Sequence, residues 1–212
     1  MTWHAKRTGA YGYNTAEALD NAKEVCNILM PLGFTLAACC AVLGNIAGEG
    51  GFNPWRWEND TLLNYNDPQI DTSRVHGYGL VQFTPSGKYL HSTIAQGYRG
   101  FAPNYANLVG NPTDGAAQMA FVHYSCLNMG EYIMKSTYPL TYTQFRAAEP
   151  PNYEIAYLTR VWFENYERGT WSTVRVDAAA HFWDVLQGYE PVPTGGAVPV
   201  WLLKKIIERN FK

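Results

Sequence analysis

Two helices are predicted at the start of the chain by the spacing of its apolar residues. From Asn14 onward, apolar residues recur every three to four positions, with Asn14 as the predicted N-cap and Glu17 reaching back to it. The next run, LAACCAVLGNIAGE at residues 36–49, follows a candidate N-cap at Thr35 and is apolar on nearly every side. That pattern predicts a central, buried helix.

The later part of the chain predicts more helix and little β structure. Residues 52–71 are rich in Asn, Asp, Pro and Trp and are interpreted as a long surface loop, and GYGLVQFTP at 77–85 predicts a short strand or turn. Further helices are expected at about 86–96, 114–128, 153–166 and 173–187, the last with Val174, Ala178, His181, Phe182 and Val185 on one face. The predicted fold class is therefore mainly α, with a small β-hairpin element.

Changes in composition divide the chain into four predicted parts. These are an N-terminal extension (1–13), a main domain (14–189), a Pro/Gly linker (190–197) and a basic amphipathic segment (198–212). The last carries three Lys and one Arg against one Glu, a net charge of +3. Docking to another protein or the start of a further domain is the favoured interpretation of this segment, and contact with an anionic membrane or cell wall is the less favoured one.

Composition and charge argue against two classes of protein, those that bind nucleic acids and those that span a membrane. A chain of 212 residues that is 47% hydrophobic can bury a core in one main domain. Its net charge of −2 comes from scattered charges without a basic stripe, so no nucleic-acid partner is expected. The absence of a long apolar stretch predicts synthesis in the cytoplasm without a Sec signal or a membrane span. The aromatic content of 15% suits either a packed core or a sugar-stacking groove.

Cysteine and histidine spacing predicts neither a metal site nor a bound cofactor. The four cysteines lack a C-x-x-C pair and are predicted to be free, buried thiols, and the five histidines lack the H-E-x-x-H spacing of a zinc peptidase. A Cys/His hydrolase could use Cys126 with His123 or His76. This alternative is disfavoured because the apolar run MAFVHYSC around the thiol is typical of a core helix.

One carboxylate has an unusual sequence environment. Glu49 ends the second predicted helix, directly before Gly50 and Gly51, in the stretch GNIAGEGGFNP. The negative end of a helix and the loss of water both favour a protonated carboxyl group, and apolar neighbours such as Phe52 and Trp55 would raise its pKa further. A glycosidase needs such an acid to protonate the leaving oxygen. From this stretch alone, an ordinary exposed residue at a helix end is the equal alternative.

Three motifs in order strengthen the glycosidase interpretation. They are GNIAGEGGFNP at 44–54, GYGLVQFTP at 77–85 and FENYERGT at 163–170. Together they resemble the phage tail lysozyme family, whose outline goose-type lysozymes and lytic transglycosylases share. The resemblance covers about residues 14–188 and implies a two-lobed, lysozyme-like domain with a cleft between the lobes.

The resemblance also implies roles for individual residues. Glu49 would be the general acid/base acting on the bond between N-acetylmuramic acid and N-acetylglucosamine in peptidoglycan. Phe83 stands where the family often has Trp, and Glu167 and Arg168 are expected to form a structural ion pair rather than to act in catalysis. The predicted substrate-binding residues are Trp55, Tyr78, Gln82, Phe83 and Tyr166.

A second carboxylate is less clearly marked. Hydrolases use two carboxyl groups around the scissile bond, whereas a lytic transglycosylase can work with a single acid. Glu58 and Asp60 lie nine and eleven positions after Glu49 in the predicted loop and are the candidates, with solvated loop carboxylates as the plainer alternative. The sequence therefore leaves hydrolysis and transglycosylation open.

The predicted function is cleavage of peptidoglycan glycan strands by a phage-encoded enzyme, either tail-associated or an endolysin. Other phage tail or virion proteins are candidate partners of residues 198–212. The alternative from another class is a non-catalytic glycan-binding or structural tail-tip protein that keeps the fold.

Overall fold

The structure, a computed structural model, describes residues 3–61, 63, 67–73, 76–95 and 114–192. Its helices in chain order are α1 (Ala16–Leu29), α2 (Leu36–Gly48), α3 (Gln69–Thr72), α4 (Gly87–Leu90), α5 (Asp114–Asn128), α6 (Tyr142–Arg146), α7 (Ile155–Trp162) and α8 (Val174–Val185). Short 3-10 turns cover Met30–Leu32 and Glu58–Asp60, and a π-helical turn over Phe163–Glu167 continues α7. The mainly α class is confirmed.

The predicted hairpin is reduced to isolated contacts in the described part of the chain. Antiparallel bridges join Trp57 to Tyr78 and Tyr78 to Phe83, and no regular strand forms among these residues. Residues 77–85 fold as a tight turn instead, in which Gly79 has a φ of +84° and Gln82 a φ of +48°. Two left-handed residues so close together bend the chain away from an extended strand.

Helix α1 begins one residue later than predicted. The hydroxyl oxygen of Thr15, not the side chain of Asn14, accepts a hydrogen bond from the backbone N–H of Ala18 at 3.2 Å. Glu17 therefore lies at the second helical position, where its charge favours the helix N-terminus, and the predicted capping box is wrong. The segment before it packs onto the domain, since Asn53 donates hydrogen bonds to two backbone carbonyls within residues 6–9.

Helix α2 is the centre of the core, as predicted. Thr35 caps it by accepting a bond from the N–H of Ala38 at 3.1 Å, and every residue from Ala37 to Ile46 is buried. Helices α1, α7 and α8 pack around it, which explains why its sequence is apolar on nearly every side. Glu49 is the first residue past this helix, so the central element directly positions that carboxylate.

Helix α8 approaches α2 closely because α2 carries two glycines four residues apart. A Cβ atom on Gly44 would lie 2.2 Å from the carbonyl oxygen of Arg175, and one on Gly48 would lie 2.7 Å from Cγ of Arg175. These glycines create a groove in which the Arg175 side chain runs along α2. The groove directs the guanidinium towards the end of α2.

The predicted face of α8 is buried only in part, at Ala178 and Phe182. Val185 is 47% exposed, whereas Arg175 is buried together with Ala178, Ala179 and Phe182. Charged side chains are seldom fully buried unless they are paired, so the burial of Arg175 requires partners. The partners that permit its burial are described below.

The remaining elements agree with the sequence to different degrees. The predicted helix 114–128 is confirmed. The predicted helix 86–96 is continuous only over Gly87–Leu90, and α6 was not predicted.

All four cysteines are free and buried, as predicted. Within the described ranges, no helix has the length and apolar character needed to cross a membrane. The predicted segment 198–212 lies outside the described residues.

Candidate active site

A cavity of about 590 Å³ lies beside the C-terminal end of α2. Its wall combines residues from the 56–59 segment, the 81–84 turn, α5 and the π-helical turn after α7. The charged residues in this wall are Glu49, Glu58, Glu131, Glu167, Arg56, Lys88 and Arg168. Aromatic and polar side chains, among them Gln82, Phe83, Phe121, Ser125 and Tyr166, fill the spaces between them.

Glu49 is held in this wall by a buried arginine. Its Oε1 accepts a hydrogen bond from Nη2 of Arg175 at 2.5 Å, and the two side chains are 22% and 2% exposed, respectively. Arg175 also donates to the backbone oxygens of Asn45 and Thr170, at 3.0 and 3.3 Å. These bonds fix the guanidinium and hence the position of the carboxylate that it contacts.

The surroundings of Glu49 favour its protonated form. Burial is the largest influence and raises the pKa of this carboxyl, and the charge of Glu58 raises it further. The charge and hydrogen bond of Arg175 act in the opposite direction without cancelling the rise. The net direction agrees with the sequence prediction, although Phe52, one of the predicted causes, packs in the core against Phe182 with ring centres 5.0 Å apart.

Glu167 is a second carboxylate of the same site. It follows α7 on the π-helical turn, and its Oε1 accepts a hydrogen bond from Nε1 of Trp162 at 3.2 Å. Burial, reinforced by the charge of Glu49, raises the pKa of Glu167 to about 8 against the opposing influence of Arg175. The predicted ion pair between Glu167 and Arg168 is wrong, because Arg168 pairs with Glu131 at 3.3 Å.

The turn that carries Gln82 is held rigidly against the cavity. Nε2 of Gln82 donates to the carbonyl of Gly79 at 2.8 Å, closing the turn on itself. The buried side chain of Gln118 on α5 accepts from the N–H of Leu80 at 2.8 Å and donates to the carbonyl of Pro54 at 2.6 Å. One amide side chain thereby fixes two neighbouring stretches of the wall.

The cavity brings together most, but not all, of the predicted site residues. Glu49, Glu58, Gln82, Phe83 and Tyr166 line it, and Glu58 is oriented by the N–H of Gly77, which donates to its Oε2 at 3.1 Å. Trp55, Tyr78 and Asp60 do not contribute to the described wall.

Tyr78 and Asp60 face other parts of the molecule. Tyr78 is fully buried and its hydroxyl donates to Oδ2 of Asp114 at 2.5 Å. The exposed side chain of Asp60 accepts a hydrogen bond from the N–H of Gly9 at 2.7 Å. Residues close to them in sequence, Glu58, Asn59 and residues 81–84, line the cavity instead.

Glu131 connects two cationic side chains in the cavity wall. Its Oε1 lies 2.6 Å from Nζ of Lys88, which projects from α4, and its Oε2 lies 3.3 Å from Nη2 of Arg168, which follows the π-helical turn. The three side chains are each 22–34% exposed, so water screens the pairs and their net stabilisation is modest. Together the three side chains carry a net charge of +1, and the charge of Arg168 acts to lower the pKa of Glu167.

The alternative Cys/His site lies in the core. Cys126 is 8% exposed and burial raises the pKa of its thiol well above the ordinary value, which disfavours the nucleophilic thiolate. His123 is buried beside the Tyr142 hydroxyl at 2.8 Å, and burial lowers its pKa to about 4. Among the described residues, no group of three His, Cys, Asp or Glu side chains is arranged to hold a metal ion.

The chain is similar to a known protein family and to a known phage protein. A family model described as phage tail lysozyme matches residues 20–186, a range that includes the whole cavity wall. Morphogenesis protein 1 of Bacillus phage B103 is 39% identical over 75 residues, which cover 35% of this chain and 18% of that protein. The aligned part is therefore a small fraction of that relative.

Proposed function

Because the chain belongs to the phage tail lysozyme family, we propose that it is a glycosidase that cleaves peptidoglycan between N-acetylmuramic acid and N-acetylglucosamine. The observation that carries this proposal is Glu49, a carboxyl with a raised pKa that borders a cavity and is fixed by Arg175. The proposed substrate contacts are Gln82, Phe83 and Tyr166, which share that cavity. Tyr78 supports the turn from the core, where its hydroxyl bonds to Asp114 and its backbone bridges to Phe83.

In the proposed first step, the Glu49 carboxyl donates its proton to the glycosidic oxygen as the bond from that oxygen to C1 of the muramic acid breaks. The leaving sugar departs with a hydroxyl group, and positive charge develops on the remaining ring. Glu49 is then a carboxylate, and its hydrogen bond with Arg175 stabilises the new negative charge. The Arg175 guanidinium can therefore lie beside Glu49 both when Glu49 is protonated and when it is a carboxylate.

The second step has two possible nucleophiles. Water can add to C1 and give a reducing end, with Glu58 activating it, since Glu58 lines the cavity whereas Asp60 is bonded to Gly9. Alternatively, the C6 hydroxyl of the muramic acid can add and give a 1,6-anhydro ring. In either case the nucleophile loses one proton to a carboxylate, and in the second case Glu49 accepts it.

The proposed setting is a phage virion. The family description and the name of the relative, a phage morphogenesis protein, support a tail-associated enzyme acting on the bacterial cell wall rather than an endolysin. We further infer the two-lobed, lysozyme-like architecture predicted from the sequence. The antiparallel bridges of Tyr78 with Trp57 and Phe83 support a reduced hairpin in it.

Replacing Glu49 with Gln tests the assignment of the acid. We expect at least about a 100-fold loss in the rate of wall lysis, because the amide cannot donate the proton that general acid catalysis requires. The measurement is the decrease in turbidity of purified peptidoglycan, with folding checked by thermal melting. Lysis at the original rate by Glu49→Gln would exclude the mechanism.

A matched control is Glu149→Gln. Glu149 is exposed and follows Ala148, whose carbonyl accepts a bond from the Thr35 hydroxyl at the far end of α2. The 13-residue helix places it roughly 20 Å from Glu49. This variant should lyse the wall at the unmodified rate.

Mass spectrometry of the released fragments distinguishes attack by water from attack by the C6 hydroxyl in the second step. Reducing muramic ends indicate hydrolysis, and 1,6-anhydro ends indicate transglycosylation. Binding of peptidoglycan without release of fragments by the unmodified protein would favour a non-catalytic, glycan-binding tail protein.

A further inference from the structure

Arg56 differs from the other basic residues of the cavity wall in its lack of a counter-ion. Lys88 and Arg168, the other two cations of the described wall, both contact Glu131. Among the described residues, no carboxylate pairs with Arg56, although Glu58 follows it by two positions in the same segment of the wall. A positive charge without a protein partner therefore borders the cavity.

Most of the hydrogen-bonding capacity of Arg56 is unused. In the described structure, a single N–H of its guanidinium donates, from Nη1 to the carbonyl oxygen of Gly50 at 3.4 Å. Nε is buried without a partner, whereas Nη2 has neither a partner nor that burial, so the Nη2 end is open to the cavity. A partly desolvated cation gains when an acceptor replaces its lost water. The guanidinium is therefore suited to bind an acceptor group of a ligand.

The contacts of Arg56 place its guanidinium next to the proposed acid. Gly50 directly follows Glu49, so the bond to the Gly50 carbonyl holds Nη1 beside the backbone at the end of α2. The backbone oxygen of Arg56 accepts from the N–H of Gly79 at 2.8 Å and from Nε2 of Gln82 at 3.3 Å. Arg56 is thus fixed to both sides of the cavity, and a ligand group that it binds must lie close to the acid.

We propose that Arg56 is a specificity-determining residue that binds a carboxylate carried by the lactyl group of muramic acid. This inference rests on the proposed function, which brings muramic acid to Glu49. The lactyl group distinguishes muramic acid from N-acetylglucosamine, and it carries a carboxylate either itself or through the peptide attached to it. A guanidinium suits a carboxylate because its parallel N–H groups can donate to both oxygens. Arg56 would therefore favour peptidoglycan over chitin, a neutral glycan without this group.

The acidic residues near Arg56 confine the carboxylate to this position. Glu49 is bonded to Arg175, and Glu58 accepts from the N–H of Gly77, so neither side chain occupies the guanidinium of Arg56. Their negative charges disfavour an anion elsewhere in the cavity. They also weaken the positive potential around Arg56, so its contribution comes from direct hydrogen bonds rather than from long-range attraction.

The test measures ligand binding by NMR titration of the variant Glu49→Gln, in which loss of cleavage is expected. One probe is the disaccharide of N-acetylglucosamine and N-acetylmuramic acid with a free lactyl carboxylate, and a second is its uncharged amide. A third carries the dipeptide L-alanyl-D-glutamate on the lactyl group, and chitobiose serves as the neutral glycan.

Three further replacements are each combined with Glu49→Gln. Arg56→Gln removes the charge and the N–H fork, whereas Arg56→Lys keeps the charge alone. Lys23→Gln is the matched control, because Lys23 lies on α1 at 3.9 Å from Asp20 and is not part of the described cavity wall. It removes the same charge away from the site. Thermal melting checks the folding of each variant.

We expect Glu49→Gln to bind at least one of the two charged ligands roughly tenfold or more tightly than the amide. Arg56→Gln should remove this preference, Arg56→Lys should reduce it, and Lys23→Gln should leave it unchanged. Chitobiose should bind equally to all of these proteins. A preference for the free lactyl carboxylate identifies the lactyl group as the source, and a preference for the dipeptide ligand alone identifies the peptide.

Equal affinity for charged and uncharged ligands in Glu49→Gln would overturn the inference without any change at Arg56. A preference that survives in Arg56→Gln would also overturn it. If Arg56→Gln does not fold, Arg56→Lys decides, since an unchanged preference contradicts the inference and a reduced one supports it. A preference that depends on Arg56, in a protein that never lyses the wall, would support the inference and contradict the glycosidase.

Discussion

Glu49 and Glu167 illustrate how the position of a residue in space determines its chemistry. Glu49 could be named as a candidate acid from the sequence because it ends an apolar run beside two glycines and lies in one of three ordered motifs. Arg175 could not, because its bond to Glu49 joins residues 126 positions apart, and Glu167 was predicted only as a member of an ion pair. No local pattern around Arg175 indicates that its guanidinium points into a site.

The burial of Glu167 also predicts how stability depends on pH. Its pKa is raised from 4.5 to about 8, so the folded state binds more protons than the unfolded state between these values. The stabilisation is complete below 4.5, and the free energy of unfolding falls as the pH rises through 8. Urea unfolding at several pH values should show this slope, and Glu167→Gln should flatten it. An equally steep slope in the variant would contradict the assignment.

At the scale of elements, the contact between α2 and α8 determines the geometry of the site. Gly44 and Gly48 leave a groove on α2, and Arg175 fills it with its backbone at one glycine and its side chain at the other. A pair of small residues four positions apart on a buried helix is a sequence signal for such a close contact, although it does not identify the partner helix.

Replacing Gly44 or Gly48 with Ala should lower the free energy of unfolding by different amounts. At Gly44 the new Cβ meets backbone 2.2 Å away, so α8 must shift, and we expect a loss of about 1–3 kcal/mol in unfolding free energy. At Gly48 the Cβ meets only the Arg175 side chain, so the loss should be smaller, while the guanidinium moves relative to Glu49 and lysis slows. Urea unfolding and lysis rates measure the two effects, and the reverse order of stabilities would refute this account.

Long, periodic elements were predictable and short ones were not. Helices α2 and α5 contain several turns of consistent pattern, whereas the five-residue α6 depends on its capping box of Thr141 and Gln144 and on packing against α7. The burial of Arg175 on α8 was not predicted, because it depends on partners in α2 and in the loop before α8.

At the scale of the whole molecule, Gln118 connects regions that are far apart in sequence. Its side chain links α5 to Pro54, 64 positions earlier, and to Leu80, 38 positions earlier. These bonds hold the loop after Glu49 and the Gln82 turn in one arrangement. The cavity wall therefore depends on a residue that does not line it.

Replacing Gln118 with Leu should destabilise the protein by at least about 2 kcal/mol, because the buried N–H of Leu80 and carbonyl of Pro54 both lose their partner. Lysis should also slow as the Gln82 turn loosens. The control is Gln187→Leu, since that exposed side chain bonds only to Trp183 of its own helical region, and its effect should stay within about 0.5 kcal/mol. Equal effects in urea unfolding would contradict this role.

Glu49 directly follows the central helix α2, whereas the other side of the cavity includes the short turn Glu58–Asp60. We therefore expect local opening to cost more free energy on the Glu49 side than on the turn side. Amides in the middle of α2 are enclosed by three helices and should exchange with deuterium only when the whole domain unfolds. The turn Glu58–Asp60 on the other side is partly exposed and held by few backbone bonds, so its amides should exchange through local opening. Under the proposed function, a glycan strand would enter by displacing the second side while Glu49 and Arg175 keep their relative positions.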